Sequence, residues 1–147
     1  ELPEVETTRR GIVPLLCGRD VTAVKVHDRR LRRPVSRNLS SILTGARLSA
    51  VTRRAKYLLF DFPRGTLITH LGMSGSLRLE PLNTQRLKHD HVVLEFGLAQ
   101  SGDPLALHYH DPRRFGSILS LEANQRLLDS LGPEPLSEGF NLVGPLP

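Results

Sequence analysis

The sequence predicts an α+β fold that is mainly β: a two-sheet antiparallel β-sandwich flanked by helices. Three observations predict it. Short runs rich in β-branched and aromatic residues recur along most of the chain. Two pairs of these runs are separated by turn-forming residues, the pattern of a hairpin. The helical patterns are few and short, and glycine closes them.

Taken in order, Pro3, Glu4 and Glu6 open the first helix. Proline's missing N–H costs nothing in a first turn, and carboxylates there face the positive end of the helix dipole. Val5, Ile12, Leu15 and Leu16 supply an apolar stripe that ends near Gly18. Val21–Val26 is β-branched and partly alternating, so it reads as a strand. Ser36 is the expected N-cap of a short helix carrying Leu39, Ile42 and Leu43 and stopped at Gly45. Residues 58–62 and 66–69 flank the turn Pro63-Arg64-Gly65 as one hairpin, and residues 92–96 and 105–109 flank the loop 97–104 as another. A strand at 117–121 leads into a third helical stretch, 121–131, ending at Gly132-Pro133. The tail from Pro133 carries four prolines with Gly139 and Gly144 and reads as a linker. The expected division is a sandwich domain over residues 1–132 and the start of an interdomain linker over residues 133–147.

Composition narrows the function classes. A chain of 147 residues can bury a core, and 39% hydrophobic content keeps it out of the disordered range. A net charge of +5 and a pI near 10.1 imply an anionic partner. Apart from Lys25, Lys56 and Lys88, the twenty basic residues are arginines. Arginine's planar fork suits bidentate phosphate contact, although a GC-rich genome gives the same bias. Cys17 is the sole cysteine, so neither an internal disulfide nor a cysteine-based zinc site forms within the chain. It reads as a small apolar residue near a helix end, in keeping with a reducing, cytoplasmic location. No signal peptide, membrane-length apolar run, internal repeat or low-complexity segment is visible.

Two loops carry the sharpest chemistry. Asp111-Pro112-Arg113-Arg114-Phe115-Gly116 begins with a step that favours a turn, because proline pushes its predecessor out of the α region. Its arginines and phenylalanine are therefore expected on a loop tip. Arginine reads base edges and phosphates, and phenylalanine or methionine can insert between stacked bases. About forty residues earlier, Gly72 and Gly75 flank Met73 and give that loop freedom to approach a duplex closely. Taken singly, Phe115 reads equally well as a core aromatic and Met73 as core filler.

Elsewhere, Lys56 follows Arg53-Arg54-Ala55 and precedes the apolar Tyr57-Leu58-Leu59. A basic cluster running into a buried strand can set a cation at a groove rim, or it can be a solvated face. His89 with His91, and His108 with His110, are spaced to share strand faces. With Asp90 or Asp111 nearby they leave open a metal-dependent β-barrel enzyme. A free α-amino group is a competent nucleophile near pH 7.

The stretches Glu1-Leu2-Pro3-Glu4-Val5-Glu6-Thr7, Arg53 to Leu59, His70 to Arg78, Lys88-His89-Asp90-His91-Val92, Asp111 to Gly116 and Leu131 to Leu136 occur in one order across the chain. In these stretches the sequence resembles the N-terminal domain of bacterial formamidopyrimidine-DNA glycosylase, which excises oxidised purines such as 8-oxoguanine and then cleaves the strand. The resemblance implies a β-sandwich. It implies catalytic roles for Glu1, handling protons at the opening sugar ring, and for Lys56, assisting elimination. It also implies DNA contacts from His70, Met73, His89, Arg113 and Phe115, with Met73, Arg113 and Phe115 filling the gap left by a flipped nucleotide and Arg113 facing the orphaned cytosine. His108 and His110 match no functional position. The expected partner is double-stranded DNA carrying an oxidised purine, bound by a monomer. No cofactor is expected in this chain, and a zinc ion is expected in the family's C-terminal zinc finger. In the family the nucleophile is a proline immediately before the Glu-Leu-Pro-Glu run. As written, the chain has no such proline and is expected to be inactive. A non-catalytic DNA-binding module and the sister family, endonuclease VIII, remain alternatives.

Overall fold

The computed structural model describes residues 4–32, 34–72, 75–97 and 103–122, without the side chains of 121 and 122. The elements are α1 (Glu4–Leu16), β1 (Val21–Val26), α2 (Leu39–Leu43), β2 (Ala50–Arg54), β3 (Tyr57–Phe62), β4 (Gly65–His70), β5 (Ser76–Pro81), β6 (Asp90–Phe96), β7 (Leu105–His110) and β8 (Ser117–Glu122). They form two four-stranded antiparallel sheets, ordered β1-β6-β7-β5 and β2-β3-β4-β8. Mainly β, with few helices, this is the architecture the sequence predicts.

Strand alternation builds the core between the sheets. Val92, Leu94, Phe96, Leu107 and Tyr109 of one sheet join Leu58, Phe60, Phe62, Leu67 and Ile118 of the other in one buried cluster. Ile12 and Leu16 of α1 and Leu39, Ile42 and Leu43 of α2 close its sides. Burying each such side chain contributes about 1.5–3 kcal/mol. A bulge in β6 decides which of its side chains reach the outer face. Asp90 pairs with His110 and Val92 with Tyr109, so His91 is an extra residue. The extra residue lets Asp90 face outward while Val92, Leu94 and Phe96 turn into the core.

The expected elements differ from the observed ones in particular places. Ser36 does not cap α2: Asn38 stands at the cap position without a side-chain capping bond, and Ser36 Oγ instead accepts the Ser120 N–H at 2.9 Å. Both polar side chains are drawn to β8, since Asn38 also accepts from the Ser120 hydroxyl. Gly65 belongs to β4, paired with Phe62, so the turn is only Pro63-Arg64. Leu15 is half exposed and lies outside the buried stripe. Strand β8 extends through Glu122, past the point where the sequence pattern starts a third helix; the rest of that helix and the proline-rich tail lie outside the described residues. Strands β2 and β5 have no counterpart among the expected elements. Cys17 is partly buried, and burial pushes its thiol up, as suits an unreactive apolar role.

Topology gathers the chemistry at one end of the sandwich. The β2–β3 turn, the end of β4, the start of β6 and the β7–β8 loop all lie there by strand direction and register. The start of α1 joins them, because Glu6 bonds Arg53 near the end of β2. Among the described residues, no helix is long and apolar enough to cross a membrane.

Candidate functional site

Asp111 organises the end of the sandwich. It is fully buried, and its Oδ2 accepts the Gly116 N–H at 2.8 Å and the Tyr109 hydroxyl at 3.0 Å. Its Oδ1 accepts the Arg114 N–H at 3.1 Å, and its carbonyl accepts His91 Nε2–H at 2.9 Å. Burial and the adjacent carboxylate push the Tyr109 hydroxyl far up, so it remains a donor. From the sequence Asp111 reads as a turn former and as a carboxylate near the histidine pairs; the hub shows only in three-dimensional pairing, not in the Asp-Pro step.

This hub sorts the two arginines. Arg114 takes a positive φ of 60° and folds back, donating to the Arg30 carbonyl at 2.8 Å and pairing with Asp28 at 2.9 Å. Arg113 and Phe115 are exposed instead, with the Arg113 guanidinium 4.8 Å from the centre of the Phe115 ring. Such an exposed cation–π contact is worth about 0.5–1 kcal/mol, enough to order two side chains without locking them.

The second loop packs against the first. Gly72 has a positive φ of 64°, and a Cβ there would sit 3.0 Å from Phe115 C and Gly116 N. The glycine thus lets two backbones touch. Met73 and Ser74 follow it and lie outside the described residues, as does Glu1. Beside this contact His70 ends β4, its ring 4.9 Å from Tyr57. The Gly72 N–H donates to His70 Nδ1 at 3.0 Å, so in its neutral form the ring carries its proton on Nε2.

Lys56 is exposed in the two-residue β2–β3 turn, after Ala55 at φ 55°. A latch holds that turn to the start of α1. Glu6 receives Arg9 at 2.7 and 3.0 Å, Arg10 at 2.9 Å and Arg53 at 3.1 Å, and Arg53 also donates to the Ala55 carbonyl at 3.1 Å. Hydrogen bonds from Arg9 and Arg10 hold the Glu6 carboxyl down at about 2. Three arginines outnumber Glu4 and Glu6 at the foot of α1 and leave it positive, with Lys56 adding to it.

The histidines form a separate group. His89 lies 6.0 Å from the His91 ring and 5.8 Å from His110, and burial followed by the nearby Lys88 pushes it below its usual range. Asp90 collects the Nδ1–H of His108 at 3.1 Å and of His110 at 2.8 Å, with Arg78 at 2.7 Å. Its carboxylate is thus taken up by hydrogen bonds, and among the described residues no group of three or more metal-ligating side chains converges. Of the expected site residues, Lys56, His70, His89, Arg113 and Phe115 fall at one end of the molecule.

With this geometry in place, comparison with known proteins is informative. Residues 1–118 match the model of the formamidopyrimidine-DNA glycosylase N-terminal domain. A formamidopyrimidine-DNA glycosylase of Methylococcus capsulatus is 55% identical over 144 residues, covering 96% of this chain and 51% of the relative. One from Stutzerimonas stutzeri is 55% identical over 143 residues, with the same coverage. The chain therefore spans about half the length of the curated relatives it matches. The solved structure of the Lactococcus lactis enzyme, non-covalently bound to DNA containing an AP site, is 34% identical. It superposes with a TM-score of 0.72 over 85% of this chain and 46% of that one. A second structure of that enzyme, holding FAPY-dG-containing DNA, gives 33% and 0.72 at 85% and 45% coverage. The chain belongs to the formamidopyrimidine-DNA glycosylase family, whose N-terminal domain it matches over residues 1–118.

Proposed function

We propose that this chain is the N-terminal part of a base-excision DNA glycosylase and AP lyase that removes oxidised purines, 8-oxoguanine and formamidopyrimidines, from double-stranded DNA. The observation that carries the reading is the contact of Gly72 with Phe115 and Gly116, which sets the residue just before Met73 against the arginine–phenylalanine loop. Flipping a nucleotide costs a few kcal/mol of unstacking, and side chains entering the vacated space offset it. Met73, Arg113 and Phe115 fill that role. Arg113 presents two donors to the unpaired cytosine edge, while Arg114 is held back by Asp28. His70 offers its Nε2–H to a backbone phosphate near the lesion, and His89 makes a further DNA contact.

The chemistry belongs to the N-terminal amine of the proline that precedes Glu1 in the family. Its nitrogen bonds to the sugar carbon bearing the damaged base, and the base leaves with the electron pair of the broken bond. The nitrogen lone pair then expels the ring oxygen, which takes up a proton as the C1′–O4′ bond breaks; the resulting Schiff base acidifies the neighbouring C–H, and loss of that proton eliminates the 3′ phosphate. Glu1 handles protons at the opening ring, and Lys56 assists elimination beside the backbone. No metal is needed for these steps; the family's zinc belongs to its C-terminal finger. The protein acts as a monomer in the cytoplasm.

Borohydride reduction tests the reading in the gene's complete product. It should trap a covalent adduct on duplex DNA containing 8-oxoguanine, and blocking the N-terminal amine should abolish it. Tight DNA binding with no adduct identifies a non-catalytic binding module. An adduct that survives blocking points to Lys56 or another amine and overturns the assignment.

A further inference from the structure

The outer face of the β1-β6-β7-β5 sheet carries a polar centre that base excision does not use. Lys25, Val93, His108 and Arg78 stand in register across its four strands. Together with the segment after β5 they border a cleft of about 200 Å3, lined by Lys25, His27, Asn83, Thr84, Arg86 and His108 among others. His108 is only 2% exposed. Its Nδ1 donates to Asp90, and although burial pushes that carboxyl up, hydrogen bonds from Arg78, the Leu87 N–H and His110 more than offset this and keep it ionised. In its neutral form the His108 ring therefore carries its proton on Nδ1 and leaves a lone pair on Nε2. That Nε2 is buried and meets no hydrogen-bond partner among the described residues. A buried ring nitrogen left in this state is costly, and a ligand able to share a proton with it relieves the cost.

The rest of the lining defines that ligand. Lys25 and Arg86 are exposed cations; Glu95 neutralises Lys25 in part at 2.8 Å, and Arg86 spends one donor on the Asp90 carbonyl at 3.0 Å. Asn83 and Thr84 add neutral polar groups. Since no cluster of three metal-ligating side chains occurs among the described residues, a cation does not fit the donor set. We propose that this cleft binds a phosphate group, one proton being shared between a phosphate oxygen and His108 Nε2 while Lys25 and Arg86 hold the other oxygens. A monoester or inorganic phosphate can bring that proton as P–OH. A backbone phosphodiester has none, so His108 then takes one from solvent and Asp90 stabilises the imidazolium.

Histidine-selective 15N NMR of the complete protein tests this with three probes: inorganic phosphate, a duplex with a 5′-terminal phosphate, and the same duplex without it. The Nε2 resonance of His108, assigned by its loss in His108→Gln, should shift saturably. Arg86→Gln, a change at an exposed residue, should weaken the responsible probe on the order of tenfold, as expected for one charge-assisted contact. A response to inorganic phosphate and only the phosphorylated duplex assigns a monoester. A response to both duplexes but not to inorganic phosphate assigns the backbone. No response to any probe, or one that Arg86→Gln leaves intact, overturns the proposal. Adduct trapping at the N-terminal amine is a separate readout, so the two readings fail separately.

Discussion

Replacing Asp111 with asparagine keeps the shape of the hub and removes its charge. The carboxylate gives one oxygen to the Gly116 N–H and the Tyr109 hydroxyl and the other to the Arg114 N–H. An amide has a single acceptor oxygen, so in either orientation its NH2 group faces a main-chain N–H. The better orientation keeps Gly116 and Tyr109 bonded and sets donor against donor at Arg114, whose N–H retains only the Asp111 carbonyl at 3.3 Å. Losing one bond to a charged group costs about 1.5–3 kcal/mol, and the remaining carbonyl contact sets the expected value near 2 kcal/mol. Amide hydrogen exchange and urea unfolding of Asp111→Asn measure it. The Arg114 amide should exchange roughly 30-fold faster, the equilibrium equivalent of that energy. Asp111→Ala, which strands both N–H groups, should be worse in the same assays. If Asp111→Asn unfolds within about 0.5 kcal/mol of the parent, the range of a neutral surface change, with Arg114 exchange unaltered, then Asp111 is not the hub.

Gly116→Ala should destabilise by more than the ~1–3 kcal/mol usual for overpacking, because its Cβ would sit 2.1 Å from the Tyr109 hydroxyl and 2.4 Å from the His70 carbonyl; a thermal melt checks it. Gly11→Ala, with nothing within 4 Å on the outside of α1, should instead raise stability by up to about 1 kcal/mol in the same melt. In the complete protein, Arg113→Ala should erase roughly 1–3 kcal/mol of the preference for cytosine over adenine opposite the lesion, whereas Lys56→Ala should weaken every duplex, slow strand cleavage and flatten the salt dependence of binding. The Glu6 carboxyl, held near 2 against an ordinary 4.5, contributes stability that is complete above about pH 4.5 and fades as pH falls toward 2. Urea unfolding at stepped pH should show Glu6→Gln losing that slope.

The sequence made the interior strands readable because their side chains obey one rule. Val21–Val26, β3 with β4, and β6 with β7 carry apolar residues wherever the pleat points inward. Strand β2 ends in Arg53-Arg54 and β5 ends in Pro81, and both are largely half-buried, so period and propensity are diluted there. At the candidate site, the exposure of Arg113 and Phe115 on a loop is legible, because the Asp-Pro step marks a turn. What stayed hidden was everything that depends on a partner distant in sequence. Nothing in Arg-Arg says that the second arginine turns left-handed and reaches Asp28, 86 positions earlier. Likewise, His108 and His110 suggest a metal by spacing alone, and only the β6 bulge shows Asp90 occupying the place between them.

The anchoring of the β7–β8 loop also has a mechanical meaning. When two bodies are pressed together, deformation concentrates in the more compliant one. A phenylalanine on a slack loop would simply retreat when pushed against stacked rings. Here three hydrogen bonds accepted by one buried carboxylate fix the main chain on both sides of it and the tyrosine beneath, with a glycine backbone from the segment after β4 braced behind. The loop is therefore the stiffer member of such an encounter, and the bending is left to whatever it meets.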